Sequence, residues 1–250
     1  MTLEQFFSEN RKVAMGFSGG VDSSYLFYAG KKYGADVRAY FVKSAFQPQF
    51  ELEDAKRLAE DIGAEITVLE MDVLSAEDVV SNPEDRCYYC KNRVFGLICA
   101  RAAEDGYSTI IDGTNASDDA GDRPGFRALQ EMEVRSPLRE CGLMKNDVRR
   151  LSREAGLFTW NKPSYACLAT RIPAGVRITE DKLRRVEGAE DVLRSMGFSD
   201  FRVRMRGNTG LIQMPACQMI SAVRLAEEIR LGMAPYFSEV VLDLKGRNHE

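Results

Sequence analysis

The 250-residue sequence is nearly devoid of imidazole: its single histidine is His249. Ser-His-Asp, Cys-His and His-rich zinc chemistries therefore lack their base or ligand. Nor is there an excess of positive charge. Lys plus Arg number 34 against 38 Asp plus Glu, giving a net charge of −4 and a pI near 5.4. Such a balance does not advertise a stable nucleic-acid or membrane-surface partner. The longest charge-free stretch, Gly207 to Val223, is broken by Asn208, Gln213, Pro215 and Gln218, so no membrane span is expected. Glu4 and Glu9 stand where a secretory leader would be basic and then apolar. The expected setting is a reducing cytoplasm, with six cysteines that are unpaired, metal-binding or catalytic rather than disulfide-bonded. Any catalysis must rest on cysteine, carboxylates, Lys or Arg, backbone amides and a bound cofactor.

What is present is ordinary globular composition, 44% hydrophobic and 29% charged, with ample length to bury a core. Short apolar runs alternate with helical patterns over the first 160 residues or so. Strands are expected at Lys12–Phe17, Val37–Val42, Ile66–Met71 and Thr109–Asp112. Between them the 3.6-residue period predicts helices over Ser23–Tyr33, Glu51–Ile62 and Tyr88–Glu104, with another at Lys145–Ala155. This order predicts an α/β fold, a parallel sheet with helices on both faces, over residues 1–163. Beyond it, residues 164–250 read as a small α+β domain for substrate or oligomerisation. Its helices are expected at Thr179–Met196 and about Cys217–Leu231, and its strands at Phe201–Met205, Leu211–Met214 and Glu239–Leu244.

Between the first strand and the first helix lies Ser18-Gly19-Gly20-Val21-Asp22-Ser23-Ser24. The glycines allow a tight turn and close backbone approach to a ligand, and the helix N-terminus attracts anions. The three serines add hydroxyl donors, and Asp22 can hold Mg²⁺ against phosphate oxygens. A Gly-rich strand–helix turn is the ordinary alternative, but the full string in this place is far more specific than a Gly-Gly turn. It is not a P-loop, because no Gly-x-x-x-x-Gly-Lys-Ser/Thr occurs. It resembles the PP-loop of the ATP pyrophosphatase superfamily (adenine nucleotide alpha-hydrolase-like). That resemblance implies cleavage of ATP between its α and β phosphates and adenylation of a substrate.

Cys87-Tyr88-Tyr89-Cys90 opens a helical pattern, and Cys167 lies in Ser164-Tyr165-Ala166-Cys167-Leu168-Ala169-Thr170-Arg171. A lone Cys-x-x-Cys reads equally as a redox pair or half a zinc site. Three cysteines suit a [4Fe–4S] cluster with one open iron. Cys99, Cys141 and Cys217 are expected to fill the core.

Together with Gly113-Thr114-Asn115, Asp122-Arg123-Pro124-Gly125, Ser136-Pro137-Leu138, Lys162-Pro163 and Cys167 to Pro173, the segment Cys87 to Phe95 resembles the LarE family of ATP-dependent sulfur transferases. The likeness covers nearly the whole chain. It implies that the carboxylates of pyridinium-3,5-biscarboxylic acid mononucleotide are adenylated and converted to thiocarboxylates in nickel-pincer cofactor synthesis. Cys167 matches the sulfur-bearing cysteine. In one branch this residue gives up its sulfur and becomes dehydroalanine. In the other, three cysteines, here Cys87, Cys90 and Cys167, hold a [4Fe–4S] cluster that relays sulfide from an external source. The second branch is the expectation. The expected cofactors are thus ATP, Mg²⁺ and the cluster, in an enzyme that forms a homo-oligomer.

Between Arg171 and Arg206 nine basic residues face six acidic ones. Arg202 and Arg204 alternate on a strand and share a face, so they suit a clamp for phosphate or carboxylate, and the resemblance supports that role. A solvated basic strand fits the pattern nearly as well. Glu190 resembles a family carboxylate near the substrate, although a helix-surface glutamate is the default. Gly210-Leu211-Ile212-Gln213 departs from the Ala-Arg-Ile-Glu string common in the family, so no metal site is carried over there. The rivals are a PP-loop enzyme that thiolates tRNA, an ammonia-using ligase and a nucleotide-sensing module.

Overall fold

The computed structural model describes residues 1–118 and 124–247; Asp119 to Arg123 and the segment with His249 lie outside them. By its contacts the chain divides into two compact units, Met1–Val73 with Asp85–Lys162, and Leu74–Glu84 with Pro163–Glu250.

In the first unit the order is α1 (Leu3–Glu9), β1 (Lys12–Gly16), α2 (Val21–Lys32), β2 (Asp36–Lys43), α3 (Gln49–Asp61) and β3 (Ile66–Glu70). The second unit contributes α4 (Glu77–Val80) before the chain returns as α5 (Arg86–Glu104), β4 (Ile110–Ile111), α6 (Pro124–Glu131), α7 (Pro137–Glu140) and α8 (Lys145–Glu154). The four strands form a parallel sheet in the order β3-β2-β1-β4. Alternation along the strands builds two cores, one on each face. Val13 and Met15 of β1 join Val37, Ala39 and Phe41 of β2 on the face with α1, α2 and α3. Ala14, Tyr40 and Val42 point the other way, against Phe95, Ile98 and Ala102 of α5. This is the α/β architecture expected from the strand–helix order. The fourth strand is shorter than Thr109–Asp112, because only Ala14 and Met15 pair with it. Arg135 extends that edge, bonding to Ile110 and Asp112.

The second unit contains α9 (Glu180–Ser195), β5 (Arg202–Arg206), β6 (Thr209–Gln213), α10 (Ala216–Arg224), α11 (Ala226–Met233) and β7 (Glu239–Leu242). Thr179 caps α9 by accepting from the Lys182 N–H. Antiparallel β5–β6 and parallel β6–β7 pairs make a three-stranded sheet. The single helix expected over Cys217–Leu231 is two, because Leu225 leaves helical geometry between them. The segment Leu74–Glu84, left with the first domain by a linear division at 163/164, belongs here through Asn82. Its amide donates to the carbonyls of Ile172, Pro173 and Val176, and its own carbonyl accepts from Gly175. Such bonds between distant segments leave no local signature in sequence.

Candidate active site

In the first unit β1 ends at Gly16 and the chain turns through Ser18 to Gly20 into α2. Gly19 takes φ of 71°, a left-handed conformation that costs glycine little. Gly20 is the N-cap of α2 and offers no side-chain acceptor, so no cap side chain covers the first amides of the helix. The loop's hydroxyls differ in availability. Ser18 and Ser23 bond to one another at 3.1 Å, and Ser23 also donates to the Gly20 carbonyl. Ser24 is fully buried, and its hydroxyl has no partner among the described residues.

The Gly113-Thr114-Asn115 turn leans against this loop. A Cβ on Gly113 would stand 2.8 Å from the Ser23 nitrogen, so only glycine permits the approach. Asp112 fixes the turn by accepting from the Thr114 backbone and hydroxyl, and from Ser136 Oγ at 2.6 Å. Two of the sequence strings thus meet on one buried carboxylate. Asn115 Nδ2 donates to Asp22 Oδ1 at 3.3 Å, while Lys145 Nζ pairs with Asp22 Oδ2. Burial pushes the Asp22 carboxyl above its usual range, and Lys145 opposes this in part. Lys162 Nζ pairs with Asp54 at 2.7 Å and donates to the Gly19 carbonyl at 3.3 Å. Sequence reading assigned no role to Lys145 or Asp112. Lys145 meets Asp22 across 123 positions and Asp112 meets Ser136 across 24, beyond the reach of a local motif.

Cys87 and Cys90 occupy the first turns of α5, three residues apart and hence on one face. Cys87 is exposed and Cys90 half-buried. Gly125, from the Asp122-Arg123-Pro124-Gly125 string whose first two residues lie outside the described ones, sits against Cys87. Among the described residues no three Cys, Asp, Glu or His side chains converge as a metal-holding group. Thiolates are the right donors for iron–sulfur chemistry, and two of them share this helix face. Of the cysteines expected in the core, Cys99 and Cys141 are half-buried, with thiols pushed up by burial. Cys217 corrects that expectation: it is exposed, because α10 turns it away from the buried Ala222.

In the second unit Cys167 is half-buried and caps the short turn Leu168–Arg171, its carbonyl accepting from the Thr170 N–H and hydroxyl. Behind it Arg171 is wholly buried and donates to Glu190 Oε1 at 2.8 Å, to Glu190 Oε2 and to the Ala166 carbonyl. Burial works against the guanidinium charge, but the Glu190 carboxylate outweighs it and holds Arg171 above the usual arginine range. Glu190 is therefore not a helix-surface residue. It stands on the face of α9 that buries Leu183, Val186, Ala189 and Leu193, and it also accepts from Tyr165 Oη and the Val203 N–H. Two cations approach the Tyr165 ring, Arg171 at 4.6 Å and Arg202 at 5.1 Å from its centroid.

Arg202 and Arg204 do share a strand face, but they are unlike. Arg202 is 5% exposed, its guanidinium committed to the carbonyls of Phe201 and Ser164. Arg204 is exposed and donates to Gln213 Oε1 at 2.7 Å and the Thr170 carbonyl at 2.8 Å. Burial, and then repulsion from Arg171 and Arg247, pulls Arg202 down to about 10 and lowers Arg204 as well. Gln213, at the point of departure from the family string, bridges Arg204 to Asp243. No helix among the described residues is long and apolar enough to cross a membrane.

Residues 4–117 match the family model described as asparagine synthase, the segment that carries the PP-loop and its supporting turn. An uncharacterized protein of Synechocystis is 36% identical over 98% of this chain and 92% of its own length. The pyridinium-3,5-bisthiocarboxylic acid mononucleotide synthase of Lactiplantibacillus plantarum is 32% identical over 98% of this chain and 90% of its own. The tRNA-specific 2-thiouridylase of Pseudothermotoga lettingae is more distant, 24% identical over 60% of this chain and 54% of its own. With a parallel sheet that presents a PP-loop, and near-complete coverage of a named synthase, the chain belongs to the LarE family of ATP-dependent, adenylating sulfur transferases.

Proposed function

We propose that this enzyme activates the carboxylates of pyridinium-3,5-biscarboxylic acid mononucleotide with ATP and converts them to thiocarboxylates for a nickel-pincer cofactor. The full-length likeness to the Lactiplantibacillus synthase carries this reading. A substrate carboxylate oxygen bonds to the α-phosphorus, and pyrophosphate leaves with the electron pair of the broken bond. A sulfur nucleophile then adds to the acyl carbon and AMP departs, a far better leaving group than oxide.

The PP-loop, Ser18 to Ser24, is the ATP-phosphate site in this proposal, and Asp22 supplies a hard carboxylate donor suited to Mg²⁺. Arg204 is the substrate-phosphate ligand. Burial, and then repulsion from Arg171 and Arg247, weighs on the Arg204 charge, and a bound anion would relieve it. Arg202 and Glu190, already engaged, position the segment from Ser164 to Arg171. Cys167 handles the sulfur, and we assign Cys87, Cys90 and Cys167 as the thiolates for a [4Fe–4S] cluster that, when bound, offers one open iron to sulfide. The cytoplasm keeps such thiols reduced. The acidic balance of the chain argues against a tRNA substrate.

The test combines turnover with mass. Incubation with the biscarboxylate nucleotide, ATP, Mg²⁺ and sulfide should release AMP and pyrophosphate and form the bisthiocarboxylate. ADP release, or thiolation of tRNA instead, would overturn the reading. Protein purified without oxygen should contain about four irons per chain. A loss of about 34 Da at Cys167 after turnover, as hydrogen sulfide leaves to form dehydroalanine, would replace the cluster route by the sacrificial one.

A further inference from the structure

Among the described residues Lys145, Arg149 and Lys162 lie about the PP-loop, and two of them are committed to fixed work. Arg149 donates to the carbonyls of Trp160 and Lys162 at 3.0 and 3.2 Å. Lys162 is held by Asp54 and the Gly19 carbonyl. Lys145 differs in both place and partner. It is the first residue of α8, where the helix dipole disfavours a cation. The local compensation, Asp147, is spent on the Met144 N–H. The Lys145 ammonium reaches across 123 positions to Asp22, the loop's own acid. The two side chains are only 22% and 20% exposed. Asp22 meets the Asn115 amide on its other oxygen, with the charges of Asp118 and Arg149 nearby.

We propose that Lys145 is the phosphate-binding cation of the PP-loop, stored on Asp22 and drawn onto the β and γ phosphates when a nucleoside triphosphate enters. This inference rests on the ATP-using reading given above and adds a residue to it. An ammonium is a compact point charge on a flexible stem, able to change partners by rotation about its side-chain bonds. Nucleotide phosphates carry more negative charge than one carboxylate, so the exchange is favourable. When the α–β bond breaks, the electron pair leaves on pyrophosphate, and the Lys145 ammonium stabilises that growing charge without giving up its proton. Asp22, released, is then available to the divalent cation that accompanies ATP.

The experiment is calorimetric titration of wild type, Lys145→Met and Lys145→Arg with ATP, pyrophosphate and AMP, with thermal melts alongside. Lys145→Met should weaken ATP and pyrophosphate about 10- to 100-fold, the range for a charge-assisted contact, and leave AMP within about twofold. Lys145→Arg should recover part of the loss. The double variant Asp22→Asn/Lys145→Met removes the unpaired acid and, if the single variant folds poorly, carries the same ATP-against-AMP comparison. Equal weakening of ATP and AMP, or none, in a wild-type background that binds ATP would overturn the assignment and leave the proposed function standing. Failure of the wild type to bind ATP would overturn both.

Discussion

An ion pair lies beside the reactive segment of each unit, Lys145–Asp22 in the first and Arg171–Glu190 in the second, and the two are built for opposite purposes. Lys145–Asp22 in the first unit is one-fifth exposed, has its acid braced by a single amide, and sits where burial disfavours the carboxylate. Arg171–Glu190 in the second is 1% exposed, and both carboxylate oxygens are used by Arg171, Tyr165 and the Val203 N–H. A pair with few other bonds and some access to water can open when a better partner arrives. A pair whose every oxygen is satisfied in a dry interior cannot open without leaving a charge stranded. The first is suited to exchange and the second to holding Cys167 and its turn in one shape.

The largest expected effect comes from breaking the locked pair. Glu190→Gln keeps the volume but leaves the Arg171 guanidinium buried without its counter-charge. A loss of about 3–5 kcal/mol is expected in denaturant unfolding, with the cost concentrated in the second unit. Lys145→Met, by contrast, should cost about 1 kcal/mol or less, as partly exposed pairs do. Equal losses at the two sites would erase the distinction.

Gly113→Ala should come next. Its methyl group would meet the Ser23 nitrogen at 2.8 Å and Ser23 Cα at 3.0 Å, both of them backbone atoms. About 1–3 kcal/mol of overpacking is expected, with ATP affinity falling alongside because the displaced atoms belong to the PP-loop. Retention of wild-type ATP affinity would show that the loop tolerates displacement. Tyr165→Phe is expected to cost about 1 kcal/mol, the worth of one hydrogen bond to Glu190, while its ring keeps its contacts with Arg171 and Arg202. A loss as large as that of Glu190→Gln would make the hydroxyl, rather than the guanidinium, the main satisfier of the carboxylate.

The same contrast explains what could be read from sequence. The PP-loop was legible because its seven residues are consecutive and their place between strand and helix is set by local periodicity. The parallel sheet followed from the alternation of those elements. The burial of Glu190 was not legible because its partners lie 13, 19 and 25 positions away, and a 3.6-residue period cannot say whether an acid on an apolar face has found an arginine. The unlike fates of Arg202 and Arg204 were hidden for the same reason, since period 2 places both on one face without saying which end of the strand is covered. The break at Leu225 carries no Gly or Pro to announce it.

The smallest effect, and the one that separates function from stability most finely, concerns Asp22 itself. Burial raises its carboxyl pKa in the folded protein above the ordinary value of 3.8, with Lys145 opposing the shift. A raised carboxyl pKa means that the folded state binds the proton more tightly than the unfolded chain does. The stability this contributes is therefore fully present at low pH and is lost as pH rises through the folded value. At neutral pH the ionised Asp22 is a net burden on the fold, tolerated for its work at the loop. Asp22→Asn keeps the size and an oxygen for Lys145 while removing the charge. A small rise in melting temperature at pH 7, shrinking as pH falls toward 4, is expected together with a marked fall in pyrophosphate release. A variant less stable than wild type at pH 7, with the deficit fading toward pH 4, would mean that the Lys145 ammonium more than compensates the burial of Asp22. The pair would then be a structural lock like Arg171–Glu190 rather than one built to open.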